Sequence, residues 1–264
     1  MMRNIEIKWY ETLDSTTSQA LRDLDGAKDE TVWTADYQTA GRGQRGNSWH
    51  SEKCKNLMFS ILLRPCFLNV SSQFSISEIS ALSVLHYVKG KGLDAKIKWP
   101  NDIYVGDRKV SGILIDHSIM GDKMSYSILG IGVNLNQLEF DPNLPNPASV
   151  LSEMMKARPG EVLHELHRKE ELFTILSDLF DLYDELKAGG KEHIHNEYMN
   201  NLYRFGTFCK FEKMLCKSDN CNDAVVVDSF SAKIVGLDPN FCLVLENEKG
   251  ERKSFAFKEI RYVL

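Results

Sequence analysis

The sequence predicts a mixed α/β body followed by a small all-β unit. Three observations carry this reading. Over the first three quarters of the chain, apolar runs with strand spacing alternate with helical stripes. After about Phe205 the texture changes to short β-like runs broken by turn signals, which suggests a small β-barrel. The length, 264 residues, accommodates one large core and one small one. The predicted division is 1–204 and 205–264.

Residues 5–12 read as a short strand. Asp14, Ser15, Thr16 and Thr17 offer several helix N-caps, Ala20, Leu21 and Leu24 continue a helical stripe, and Gly26 ends it. Residues 31–37 are β-like, 38–51 are polar and glycine-rich, and the apolar run 56–64 suits a buried strand. Ser71 or Ser72 caps a helix whose face is Phe74, Ile76, Ile79, Leu82, Leu85 and Val88, with Gly90 or Gly92 as its stop. Strands follow at 95–99, 103–105, 109–116 and 124–134, and 141–147 is a proline-rich loop. A long helix is predicted over 161–187, with Leu172, Ile175, Leu176, Leu179 and Tyr183 as its stripe and Ala188-Gly189-Gly190 as its end. The β-like runs of the last part are 207–211, 224–227, 232–235, 242–245 and 254–257.

Composition narrows the function. Hydrophobic residues are 43% and charged residues 26%, as in ordinary globular proteins. The net charge is −5, which argues against a general nucleic-acid binder. The N-terminus is interrupted by charges at once, and no run suits a signal peptide or a membrane span, so the expected location is the cytoplasm. Six cysteines occur without a C-x-x-C pair. Cys209, Cys216, Cys221 and Cys242 lie near His193 and His195, but their irregular spacing disfavours zinc, and reduced thiols are the expectation.

The segment Gly41-Arg42-Gly43-Gln44-Arg45-Gly46 has the form G-x-G-x-x-G. A dinucleotide fold needs a helix directly after it and an acid about twenty residues on. Here Asn47-Ser48-Trp49-His50 follows and positions 61–66 carry no acid, so that reading is rejected. Glycines free backbone amides to face an anion, and arginines fork onto carboxylate or phosphate oxygens. The loop therefore suits closure over an anionic ligand, with a solvated basic turn as the alternative. His50 reads as an ordinary loop residue. Three further segments carry polar groups at strand ends: Lys98-Trp99-Pro100-Asn101-Asp102, Arg108-Lys109-Val110-Ser111-Gly112, and Gly130-Ile131-Gly132-Val133-Asn134. No G-x-x-x-x-G-K-[ST] is present, which excludes a P-loop.

Taken together, DSTT at 14–17, YQTAGRGQRGNSW at 37–49, KWPNDIY at 98–104, DRKVSGIL at 107–114 and GIGVNLN at 130–136 resemble the biotin–protein ligases in order, spacing and residue type. The likeness is close over 1–136 and looser beyond. It implies a catalytic domain with the mixed sheet of the class II synthetases and biotin ligases, and a C-terminal SH3-like barrel. It implies ATP and biotin as substrates, Mg²⁺ entering with ATP, biotinyl-5'-AMP as intermediate, and a lysine of a biotin carboxyl carrier domain as acceptor. Self-association varies in the family, and a homodimer is allowed.

The resemblance also assigns residues. Ser15, Thr16, Thr17 and Gln38 match biotin contacts, and hydroxyls with an amide suit a ureido ring. Gly41, Arg42, Gly43, Gln44 and Gly112 match the loop and floor around biotin. Lys109 matches the key lysine near the carboxylate and the α-phosphate, and with Arg42 it is the expected catalytic pair. Arg42, Arg45, Trp49, Lys98, Asn101, Asp102 and Asn134 match the adenylate side. Without the family, Ser15 to Thr17 would be plain helix caps. Gln44 and Asn47 depart from the pattern, where arginine is frequent at the first position and occasional at the second, and the charge missing at Gln44 puts adenylate retention in question. About a dozen residues precede Asp14, too few for a DNA-binding helix-turn-helix, so no DNA-binding role is expected. The rivals are a lipoate or octanoate ligase of the same fold, and a non-catalytic biotin sensor.

Overall fold

The computed structural model describes residues 5–44, 47–215, 225–257 and 259–263. Its larger sheet has seven strands: β1 (Ile7–Tyr10), β2 (Val32–Ala35), β3 (Leu57–Leu63), β4 (Ala95–Lys98), β5 (Asp102–Val105), β6 (Arg108–Met120) and β7 (Lys123–Val133). Their order is β1-β2-β3-β7-β6-β5-β4. β1 and β2 are parallel, and the other neighbours are antiparallel.

The continuous apolar run of β3 follows from its central position, since helices cover both of its faces. Side chains alternate along a strand. Leu57, Phe59, Ile61 and Leu63 join the main core beneath α2 (Phe74–Gly90), while Leu62 joins a smaller cluster with Trp33, Ile128 and Ala20 of α1 (Thr16–Arg22). Met58 and Ser60 share the α1 side by the same alternation. α2 starts at Gln73, after a short 3-10 turn over Val70–Ser72, and not at Ser71 or Ser72.

The predicted helix over 161–187 is shorter than its sequence suggests. α4 is Arg168–Lys187, and a separate α3 spans Val150–Ala157. Asn136 explains the late start: its Nδ2 donates to Leu166 O at 3.0 Å and its Oδ1 accepts from Leu166 N at 2.9 Å. That two-point clamp satisfies the backbone of Leu166 outside any helix. α3 owes its start to a capping box in which Ser149 Oγ accepts from Ser152 N at 3.1 Å and Ser152 Oγ accepts from Ser149 N at 3.0 Å. Gly189, at φ +94°, ends α4 as predicted, and α5 (Lys191–Asn200) follows without a strong sequence signal.

The C-terminal part forms a second antiparallel sheet of β8 (Cys209–Leu215), β9 (Val225–Leu237), β10 (Leu243–Asn247), β11 (Arg252–Phe255) and β12 (Ile260–Tyr262), in the order β11-β10-β9-β8-β12. The run at 232–235 and most of the run at 224–227 lie in the one strand β9, which pairs with β8 along most of its length and with β10 near its end. β12 was too short to stand out in the sequence. The two sheets meet through rings: Tyr104 and Tyr203 centroids are 5.6 Å apart, Tyr203 and Tyr262 5.8 Å, and Phe74 stacks on Phe241 at 4.7 Å.

Candidate active site

A cleft of about 570 Å³ opens over the sheet face that carries α1. Most of the residues singled out in the sequence line it, although they come from five separated segments. Ser15, Thr16, Thr17, Gln38, Arg42, Gly43, Gln44, Trp49, Asn101, Asp102, Lys109, Gly112 and Asn134 all border it.

One end is polar and uncharged. Ser15 is the N-cap residue of α1, in extended conformation, yet its side chain makes no capping hydrogen bond. The capping explanation for this serine therefore does not hold. Asp14 keeps the turn in place: it accepts from Ser15 N at 2.8 Å and takes a two-nitrogen grip from Arg22 at 2.7 and 2.8 Å. That guanidinium, reinforced by the Ser15 amide, holds the Asp14 carboxyl well below the usual carboxylate range. Thr16 N donates to Gln38 Oε1 at 2.7 Å. Hydroxyl groups of Thr16, Thr17 and Ser60 form a buried chain, with 2.9 Å between Ser60 and Thr16 and 3.1 Å between Ser60 and Thr17.

The other end carries a cation. Lys109 Nζ lies 2.7 Å from Asp102 Oδ1. Arg42 stands apart from it and reaches Asp116 at 3.4 Å, further along β6 past the Leu114–Gly130 pair. Lys109 also stands 5.7 Å from the centre of the Trp49 ring. The floor between the ends is made of glycines. Gly112 and Gly132 pair across β6 and β7. A Cβ on Gly132 would come within 2.5 Å of the Trp49 indole, and one on Gly112 within 3.0 Å of both Trp49 and Lys109. A Cβ on Gly130 would meet Thr17 Oγ1 at 2.6 Å. These glycines have ordinary backbone angles, so close approach is what demands them.

The 41–49 loop turns back on itself and leads into no helix, consistent with the rejection of a dinucleotide fold. Gly43 N donates to Asn47 O at 2.7 Å and Trp49 N to Gly41 O at 2.9 Å. Gly41 does not border the cleft; it lines a second depression beside the Arg42–Asp116 pair. Arg45 lies outside the described residues.

Two amides are already committed. Asn101 Nδ2 donates to Ile113 O, and Asn134 Nδ2 donates to Ala148 O at 3.0 Å, so both brace the walls. Lys98 does not border the cleft. It sits at the junction of the two sheets, 3.0 Å from Tyr104 Oη, with its Nζ 4.6 Å from the Tyr104 ring and 5.1 Å from the Tyr262 ring. Burial there pushes its pKa down. The residue alternation along β4 gave no sign of this second sheet.

Several lining residues carried no sequence signal: Met58, Phe140, Leu144, Pro145, Pro147 and, from the far end of the chain, Phe257. His50 also borders the cleft. Trp99 packs edge-on against Phe257 at 6.1 Å, which ties the C-terminal sheet to the KWPND corner.

The profile of the Biotin/lipoate A/B protein ligase family matches residues 9–134, the stretch that supplies nearly all of these groups. Over that stretch, a little under half of the chain, the sequence carries the pattern of that family. Among curated members, the bifunctional ligase/repressor BirA of Bacillus spizizenii is 27% identical over 251 residues, covering 94% of this chain and 71% of its own. The biotin–[acetyl-CoA-carboxylase] ligase of Paracoccus denitrificans is 26% identical over 246 residues, covering 90% and 93%. Among solved structures, the biotin protein ligase of Aquifex aeolicus in complex with biotin and ATP superposes with a TM-score of 0.73 at 26% identity, covering 98% of this chain and 99% of the other. The mixed sheet with a separate small antiparallel sheet is thus the fold of the biotin ligases.

Proposed function

We propose that this chain is a biotin–protein ligase that activates biotin with ATP to biotinyl-5'-AMP and transfers the biotinyl group to a lysine of a biotin carboxyl carrier domain. The observation that carries the reading is the polarity of the cleft. Neutral hydroxyls and an amide stand at one end, Lys109 at the other, and the distance between them is floored by glycine. A ligand with a polar ring, an apolar chain and a carboxylate fits that order.

In the first step a carboxylate oxygen of biotin attacks the α-phosphorus, and the bond to pyrophosphate breaks. Negative charge builds on the phosphate oxygens; Lys109 stands where it can offset it, and Arg42 would join it by swinging from Asp116. Asp102 and Asp116 hold these cations until the ligand's own anions compete for them. The anhydride is sensitive to water, and the 41–49 loop, with Trp49 laid on the glycine floor, would exclude it. In the second step the neutral acceptor amine attacks the carbonyl carbon, AMP leaves with the bonding electrons, and the amine loses a proton. Alignment supplies much of the rate. Ser15, Thr16, Thr17, Gln38, Gly41, Gly43, Gln44 and Gly112 are assigned to biotin. Arg42, Arg45, Trp49, Asn101, Asp102 and Asn134 are assigned to the adenylate, Asn101 and Asn134 as wall braces. Lys98 supports that side from the junction of the sheets.

Among the described residues no cluster of three or more His, Cys, Asp or Glu could cage a metal. Mg²⁺ is assigned to the ATP phosphates, as the resemblance implies. The C-terminal unit, from 205 on, contributes Phe257 to the rim. No DNA-binding role is included, in keeping with a net charge of −5. No helix among the described residues is long and apolar enough to cross a membrane, and the proposed location is the cytoplasm. If two copies pair through a sheet edge, β1 is the edge for it. β4 already exchanges backbone hydrogen bonds with 201–203 at 2.8 and 2.9 Å.

Lipoate or octanoate as substrate is the second reading, because the family profile spans both ligase types. A lipoyl-type acyl-transferase would want a cysteine nucleophile in the cleft, and neither Cys54 nor Cys66 lines it. The deciding experiment is acid-dependent ATP–pyrophosphate exchange with biotin, lipoate and octanoate, without acceptor. Exchange with biotin alone is expected. Exchange with lipoate alone would move the chain to the sister activity, and none with any acid, in folded protein, would leave a sensor.

A further inference from the structure

Ser60 sits in the middle of β3, directly across from Gly130 of β7. It is fully buried and does not line the cleft, yet its hydroxyl touches both threonines that do. Ser60 Oγ donates to Thr16 Oγ1 at 2.9 Å and lies 3.1 Å from Thr17 Oγ1. A hydroxyl has one proton to give. Ser60 spends its proton on Thr16, so the proton between Ser60 and Thr17 has to come from Thr17. The chain runs Thr17 to Ser60 to Thr16, and Thr16 Oγ1 keeps its own proton for the cleft.

Gln38 is polarised in the same sense. Its Oε1 takes the Thr16 amide proton at 2.7 Å, which leaves Nε2 as the free, donating side. Nε2 lies near the cleft wall, 3.0 Å from where a Cβ on Gly41 would stand. The polar end of the cleft therefore presents two donors together, Thr16 O–H and Gln38 N–H. Two convergent donors suit one acceptor oxygen with two lone pairs.

We propose that Ser60 is a positioning residue that fixes Thr16 as a hydrogen-bond donor, so that Thr16 and Gln38 together select a ligand with a carbonyl acceptor at its ring end. This rests on the biotin-ligase reading, in which that acceptor is the ureido carbonyl. A dithiolane or alkyl terminus has no such atom and would leave two buried donors unmet, the situation in which polar sites reject analogues most strongly.

The test is ATP–pyrophosphate exchange with biotin and with 2-iminobiotin, in which an imino N–H group replaces the carbonyl oxygen and turns the acceptor into a donor. In Ser60→Ala, Thr16 is free to rotate and accept. The KM for biotin is expected to rise about tenfold, the worth of one hydrogen bond. The kcat and the KM for ATP are expected to hold. The KM for 2-iminobiotin is expected to change by less than about twofold, so the preference for biotin falls about tenfold. Equal losses on both ligands, or an unchanged biotin KM, would overturn the assignment. Ser60→Cys keeps the volume and a weak donor, and covers the case in which the alanine variant does not fold. Its preference is expected to fall about threefold, and an unchanged preference overturns the assignment too. Absence of biotin-dependent exchange in the wild type would sink the ligase reading itself. Wild-type exchange with an unaltered preference in the variants would sink this inference alone.

Discussion

Gly132 lies directly beneath the indole of Trp49, so close that a Cβ there would come within 2.5 Å of the ring. The glycine belongs to the sheet and the tryptophan to the loop, so a methyl group would lift the loop and leave the strand in place. Gly132→Ala is expected to lower the adenylation rate about a hundredfold, the usual effect of a misplacement near 1 Å. The thermal midpoint should move by only about 2–4 °C, because the displaced ring sits on a loop. Exchange assays beside a melting curve check both halves. Normal exchange in this variant would mean that the seat of Trp49 is irrelevant to the chemistry.

Lys109 is the cation best placed to meet a phosphate, being held 2.7 Å from Asp102 at the edge of the glycine floor. The charge it would offset develops in the first step, at phosphorus. Lys109→Ala is expected to slow adenylation by about 10²–10³, as loss of one preorganised charge-stabilising group does. Transfer from supplied biotinyl-5'-AMP should fall far less, since the amine attack builds its charge at the carbonyl. Single-turnover rates for the two half-reactions separate these outcomes. Normal adenylation in Lys109→Ala would refute the role given to this lysine.

Gln44 borders the cleft on the loop that closes it. A guanidinium here could fork onto the adenylate phosphate, which an amide cannot do. Gln44→Arg is expected to slow the escape of biotinyl-5'-AMP about tenfold, on the scale of one charge-assisted hydrogen bond. The measurement is the fraction of labelled adenylate that stays with the protein through a desalting column over time. Equal retention in both proteins would show that the loop holds the intermediate without this position.

The parts of the fold that could be read from the sequence are those set by local pattern. β3 announced itself because burial on both faces leaves a run that is apolar except for Ser60, and Gly189 marked the end of α4 because a left-handed residue closes it there. The cleft residues that belong to the five motifs were legible through them, whereas Met58, Phe140 and Phe257 were not. What stayed hidden was set by distant partners. The late start of α4 depends on Asn136, thirty positions away, which clamps Leu166. Lys98 was assigned to the nucleotide side, because nothing in β4 reveals that Tyr262 covers it from the second sheet. Ser60 looked like one small residue in an apolar run, and its meaning appears once Thr16 and Thr17 are seen above it. The glycines of 112, 130 and 132 were visible as letters, but their reason is the ring and hydroxyl that lie on them.

His86 of α2 is held at both ring nitrogens, Nδ1 2.9 Å from Asp178 of α4 and Nε2 2.8 Å from Glu197 of α5. Both nitrogens can donate to carboxylates at once when the ring is protonated. The contact with Asp178 raises the histidine pKa above its ordinary 6.5, burial opposes the rise, and Glu197 adds to it. A histidine with a raised folded-state pKa binds more protons folded than unfolded. Its stabilising effect is complete below about pH 6.5, the ordinary histidine value, and is lost as pH rises through the raised value. Above that, two carboxylates face a neutral ring and three helices lose a shared tie. The expected result is that the wild type loses about 1 kcal/mol relative to His86→Gln between pH 6 and pH 9, a shift of about 2–4 °C in Tm. Neighbouring contacts, such as that of His195 with Glu78, are present in both proteins and cancel in the comparison. Parallel Tm curves for the two proteins over this range would mean that the imidazolium contributes nothing to joining α2, α4 and α5.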